Sequence, residues 1–143
     1  MIMKRYFLIF IVFMGLLSPI SCSVDDGENF HFTPLRIVSA ELPESFVFGG
    51  SYEIEVSYIR PDGCTFFNGF DVLQVDNTIR NVVVIGSVLT DEDNCDTLDE
   101  EVTTSFTFSV RFTGTYLFRF WTGEDADGEQ QYIEIEVPVV PSS

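Results

Sequence analysis

Basic side chains are nearly missing from this chain. Lys4 is the only lysine in 143 residues, and six arginines face 23 aspartates and glutamates for a formal charge of −16. Nucleic acid is therefore excluded as a partner, because phosphate binding needs clustered Lys and Arg. Histidine occurs once, at His31. No Ser-His-Asp arrangement can be built around it. The three cysteines, Cys22, Cys64 and Cys95, form no Cys-x-x-Cys pair. With one histidine for company, they do not suggest a zinc or redox centre. No stretch keeps a helical period over eleven residues. Paired carboxylates are plentiful, but spacing alone selects no catalytic pair. A hydrolase using acidic residues is thus the weakest reading, and no enzyme is expected.

Apolar residues, in contrast, are abundant. They make up 45% of the chain, and 15 phenylalanines lead an aromatic share of 15%. That is too apolar for a disordered acidic protein and enough for one packed core.

Residues 34–140 read as strands throughout. Pro34 to Leu42 opens the domain. Pro43 to Gly50 connects, with a short strand at Phe46-Val47-Phe48. In Ser51 to Ile59, Tyr52, Ile54, Val56 and Tyr58 share one face and Glu53, Glu55 and Ser57 the other. Pro61-Asp62-Gly63 has turn chemistry. Cys64 to Asp76 reads as one bent strand or two around Asn68-Gly69, and Thr78 to Leu89 is a β-branched run. Phe106, Phe108, Val110 and Phe112 alternate with polar neighbours. So do Tyr116, Phe118 and Phe120, and then Ile133, Ile135 and Val137. Seven or eight such strands predict an all-β, antiparallel β-sandwich.

The last hairpin can be given a register, because residues paired across strands share a face. Phe118 opposite Ile135 sets Tyr116 against Val137, Arg119 against Glu134 and Trp121 against Tyr132. Gly114-Thr115-Tyr116 resembles the Gly-x-Tyr that opens strand F of immunoglobulin domains. There the tyrosine hydroxyl bonds back to the preceding backbone. The immunoglobulin disulfide and strand-C tryptophan have no counterpart, so the resemblance implies an Ig-like architecture only.

The N-terminus has the layout of an export signal. Lys4 and Arg5 precede the apolar run Tyr6 to Leu17, and Ser21 stands just before Cys22. An uncleaved membrane helix is the alternative, since Tyr6 to Val24 carries no charge over a length close to that of a span. Ser18, Pro19, Ser21 and Ser23 interrupt its end. A cysteine after an apolar run and a small residue resembles the lipobox of bacterial lipoproteins. The resemblance implies cleavage after residue 21, lipidation of Cys22 and a membrane anchor. Ser23 to Glu28 is similar to the acidic stretch that follows the lipid cysteine in Bacteroidota lipoproteins and accompanies export to the cell surface. The chain then divides into a leader (1–21), a lipidated Cys22 with an acidic tether (22–33) and the domain (34–140). Past residue 21, five arginines remain against all 23 acids, a charge of −18.

The strand series resembles small Flavobacteria-type lipoproteins with no established activity. Its carriers are Leu42-Pro43-Glu44, Tyr52 to Val56, Arg60-Pro61-Asp62-Gly63-Cys64, Tyr116 to Gly123 and Tyr132 to Val139. The resemblance implies an outer-membrane location and little more.

If Cys22 takes lipid, Cys64 and Cys95 remain as a pair. Outside the cytoplasm they are expected to form a disulfide. The rival is two free thiols.

Three groups are candidate sites. Asp91 to Glu101 holds seven acids in eleven residues, and Asp91, Asp93 and Asp96 are candidate calcium ligands. The EF-hand pattern is not met, and a solvated loop explains the same run. Asp125 and Asp127, in the last hairpin loop, form a second calcium candidate, although Asp127-Gly128 is also a good turn. Arg119, Trp121 and Tyr132 form an outward patch able to stack on a glycan or protein ligand. Its rival is a tryptophan packed beneath a neighbouring loop. The sequence thus supports a surface-tethered binding or assembly module, with a calcium-dependent adhesion or glycan-binding form as alternative. No other cofactor is expected.

Overall fold

The computed structural model describes residues 29–142. The leader, Cys22 and residues 22–28 of the tether lie outside the described residues. Nine strands follow in order: β1 (Phe30–Leu35), β2 (Ile37–Glu41), β3 (Phe46–Val47), β4 (Ser51–Asp62), β5 (Thr65–Asp76), β6 (Ile79–Leu89), β7 (Thr97–Ser109), β8 (Thr115–Glu124) and β9 (Gln130–Val140). No helix occurs among the described residues.

The strands divide into two sheets. The smaller runs β2-β4-β7 and is antiparallel. The larger runs β1-β6-β8-β9-β3, with β5 along the other edge of β6. One edge of β6 is shared: β1 pairs with its Val84–Leu89 half, and β8 with Ile79–Val82. The expected register of β8 and β9 is observed at every stated position: Phe118 opposite Ile135, Tyr116 opposite Val137, Arg119 opposite Glu134, Trp121 opposite Tyr132.

Alternation explains the core. Ile54, Val56, Tyr58 and Phe108 come from the smaller sheet; Val82, Val84, Tyr116, Phe118, Phe120 and Val137 come from the larger. Phe46 of β3 caps them, 5.5 Å from Phe108 and 6.0 Å from Phe118 between ring centroids. Phe108 meets Phe118 edge-on at 5.0 Å. Each such pair adds about 0.5–1.5 kcal/mol to the burial of its area. Tyr116 is wholly buried, and its hydroxyl accepts the N–H of Phe112 at 3.0 Å and of Arg111 at 3.3 Å. The chain between β7 and β8 is thereby fastened to the core.

Four expectations are corrected. The domain starts at Phe30 rather than residue 34, because the end of the expected tether pairs with β6 through Phe30↔Leu89, Phe32↔Ser87 and their neighbours. Residues 34–42 are not one strand. The chain leaves the larger sheet after Leu35 and enters the smaller at Ile37, and Ile59 donates its N–H to the Arg36 carbonyl at the crossing. The strands are not wholly antiparallel as expected, since β3–β9 and β6–β8 are parallel. The β5–β6 hairpin turns its second strand toward β8, which reverses the direction met there. Finally, the acidic stretch is not all loop. Thr97–Glu101 forms the start of β7 against Ile59–Asp62 of β4.

Candidate functional site

Two regions gather the chemistry-bearing side chains. The first is the corner where β4 turns into β5. Cys64 and Cys95 are joined there by a disulfide with Cα atoms 5.3 Å apart. The turn that delivers Cys64 falls one residue later than Pro61-Asp62-Gly63 suggests. Asp62 makes it: its Oδ1 accepts the Cys64 N–H at 2.9 Å and the Thr65 hydroxyl at 2.8 Å. Arg60 closes the corner from the side. Its Nε donates to the Thr65 carbonyl at 2.6 Å, its guanidinium lies 5.0 Å from the Phe66 ring centre, and Nη1 stands 3.6 Å from Glu100 Oε2. Gly63 donates its N–H to the Asp96 carbonyl, so the acidic loop is held by backbone as well as by sulfur.

The candidate calcium ligands do not converge. Among the described residues, no three His, Cys, Asp or Glu side chains are grouped so as to hold a metal ion. Asp91 accepts a hydrogen bond from the Asn29 side chain, and Asp93 and Asp96 are exposed. Asp125 serves its own loop. Its Oδ1 accepts the N–H groups of Asp127 and Glu129, both at 2.9 Å, and its Oδ2 accepts the Gln131 amide at 3.1 Å. Asp127 is exposed at the tip.

The second region is the outer face of β8 and β9, where the three patch residues come together. Arg119 lies over Tyr132, its guanidinium carbon 4.2 Å from the ring centre. Its Nε donates to Glu134 Oε1 at 3.1 Å. Trp121 sits opposite Tyr132 in the ladder and donates its indole N–H to Gln130 Oε1. Gln130 in turn donates to Glu124 at 2.6 Å. All three patch residues are half-buried. The arrangement sets a stacked cation and ring beside an indole, with the carboxylates of Glu134 and Glu124 close by, groups able to meet the apolar faces and hydroxyl edges of a ligand. Asn81 of β6 stands opposite Arg119, and its buried Oδ1 has no hydrogen-bond partner.

Sequence reasoning missed Arg80. Strand parity carried the signal, since Arg80 alternates inward with Val82 and Val84. It is buried, donates Nη1 to the carbonyls of Asp76, Asn77 and Ile79, and lies 5.4 Å from the Tyr116 ring centre. Burial pulls its pKa below the ordinary arginine value, opposed by Tyr116. Burial pushes the Tyr58 phenol up; Arg60 opposes this and Glu100 adds to it.

Compared with family models, curated proteins and solved structures, the chain matches none.

Proposed function

We propose that the protein is a lipid-anchored, non-enzymatic module of the outer membrane that presents an Ig-like sandwich at the cell surface for binding or assembly. The leader ending in Ser21-Cys22 supports the anchor. The Tyr116 hydroxyl bonded back to Phe112 supports the Ig-like reading, because it reproduces the tyrosine corner of those domains. The parallel β6–β8 pair makes this a variant of that architecture.

The observation that carries the binding role is the Arg119–Tyr132 stack beside Trp121. A glycan is the ligand class that best uses such a surface. Trp121 is the only tryptophan, so its fluorescence reports this patch alone. Titration with a panel of soluble polysaccharides is expected to change its emission saturably for at least one of them. Trp121→Ala and Tyr132→Ala are expected to lose retention by that polysaccharide in affinity electrophoresis. Retention unchanged in both variants would move the binding site elsewhere.

A calcium-dependent form of the same module is the second reading, favoured by the seven acids of Asp91 to Glu101. It requires the loop to gather its carboxylates around the ion. A melting temperature raised by millimolar calcium over EDTA, and not by magnesium, would support it; equal melting would dismiss it.

A further inference from the structure

Both long edge strands on one side of the sandwich, β5 and β7, have a free edge, since each pairs with a single neighbour. Free edges invite pairing, and charge is a common way of blocking it. On β7 the strand carries Asp99, Glu100 and Glu101. On β5 this protection is nearly missing. From Thr65 to Val75 its one charge is Asp71, in a chain with 23 acids. Its side chains are instead apolar and open to solvent: Leu73 is 58% exposed and Val75 54%, with Phe66, Phe67 and Val72 each more than a third exposed.

We infer that β5 is a self-association edge, and that its occupant is the β5 strand of a second copy, added antiparallel about a two-fold axis. Charge chooses the occupant. A basic partner strand would need carboxylates spaced along β5, and between Thr65 and Val75 there is only Asp71. A neutral, apolar strand suits it, and β5 is itself of that composition.

The register follows from the ladder. Bulges at Phe67/Gly69 and Gln74/Asp76 bound the stretch Gly69–Gln74, which runs unbroken against β6. A two-fold axis normal to the sheet pairs residues of the same face, so the axis falls on a residue. Placing it on Asp71 sets two carboxylates directly opposite, which is unfavourable. Placing it on Val72 sets Val72 against its copy, Leu73 against Asp71 and Phe70 against Gln74, within the unbroken stretch. Leu73 then reaches its copy across the diagonal, within contact range for long side chains. The pairing uses up both β5 edges, so it closes at a dimer.

Net charge opposes the association, and this gives it a signature. Two strongly acidic chains repel, and salt screens the repulsion over about 10 Å at 0.1 M. The dimer is therefore strengthened by salt, whereas binding of a cationic partner is weakened.

The test uses the whole protein purified in mild detergent, with cysteine placed at Val72 or, as control, at exposed Leu98 of β7. A short thiol–thiol cross-linker is expected to give a dimer with Val72→Cys and at least tenfold less with Leu98→Cys. The yield should rise between 0.05 and 0.5 M NaCl. In the Val72→Cys background, Leu73→Asp sets acid against Asp71 and is expected to abolish the dimer. Adding Asp71→Lys in the same chain restores opposite charges across the axis and should recover it. Equal cross-linking at both positions, none at Val72→Cys, a yield that falls with salt, or no recovery by Asp71→Lys would each overturn the inference. Circular dichroism of each variant confirms that the exposed substitutions leave the fold intact.

Discussion

The Tyr116 hydroxyl accepts the backbone N–H of Phe112 at 3.0 Å, four residues upstream and across the β7–β8 connection. It also accepts that of Arg111 at 3.3 Å. One buried side-chain oxygen thus satisfies two backbone donors that no strand ladder serves. Tyr116→Phe keeps the ring and its contacts with Phe46 and Phe108 but removes the acceptor. The expected loss is about 0.5–1.5 kcal/mol, the net contribution of a hydrogen bond whose donors water can still reach. Urea unfolding of the variant beside the wild type measures it. A change within error would mean that water replaces the hydroxyl there.

The Cys64–Cys95 bond closes a loop of 32 residues, and its Cα separation of 5.3 Å is ordinary for a disulfide. In the chain-entropy model such a loop contributes about 3.7 kcal/mol, by restricting the unfolded chain. Cys64→Ala with Cys95→Ala is expected to lower the urea midpoint by a comparable free energy. The corner should persist in the variant, because Asp62, Arg60 and the Gly63–Asp96 bond hold it independently. Non-reducing peptide mapping of protein exported by its own cell checks the link itself. Two free thiols there would contradict it.

How much of this was readable in the residues depended on what each feature imprints on local pattern. The β8–β9 register was legible because parity, an Arg119–Glu134 pair and two aromatic rows all favour one alignment. The disulfide followed from counting cysteines. The switch of sheets at Arg36 was not legible, since Leu35 and Ile37 keep the same two-residue alternation whether the chain continues or crosses. Nor was the parallel β6–β8 pair, because no side chain in a hairpin records which of its strands turns inward. Thr97–Glu101 read as loop because an exposed edge strand buries little and need not alternate. Parity placed Arg119, Trp121 and Tyr132 together on the outer face of β8 and β9, and the ladder and the Arg119–Tyr132 contact agree with that placement. Arg80 was missed because its hydrogen-bond partners are the backbone carbonyls of Asp76, Asn77 and Ile79, which sequence does not display.

Tyr58 gives an alkaline prediction. It is buried at the inner face of β4, and burial raises its phenol pKa above 10.0, the ordinary value. Below pH 10 the phenol is neutral both folded and unfolded, and stability does not depend on it. As pH rises past 10 the unfolded chain releases the proton first. Stability then falls with pH until the folded phenol also ionises. Tyr58→Phe is expected to flatten part of the stability loss above pH 10 while leaving the slope near neutrality unchanged. Urea midpoints at pH 8, 10 and 11 measure both. An identical alkaline slope in variant and wild type would assign the loss to other groups.

The anchor can be tested by chemistry. In the proposed function Cys22 is the residue that carries the lipid, preceded by Lys4 and Arg5, the apolar run Tyr6 to Leu17 and the small residue Ser21. A thioether-linked diacylglycerol supplies two acyl chains, enough for stable membrane attachment where a single chain is marginal. The attachment then depends on one sulfur atom, and it opposes a charge of −18 that anionic headgroups would repel. Mass spectrometry of the native protein is expected to show Cys22 as the first residue, carrying the lipid mass. Cys22→Ser is expected to remain unprocessed in the inner membrane or to be released, and to be lost from the outer-membrane fraction. Recovery of an intact Met1 end from outer-membrane protein, or undiminished outer-membrane attachment of Cys22→Ser, would show that the apolar run itself is the anchor.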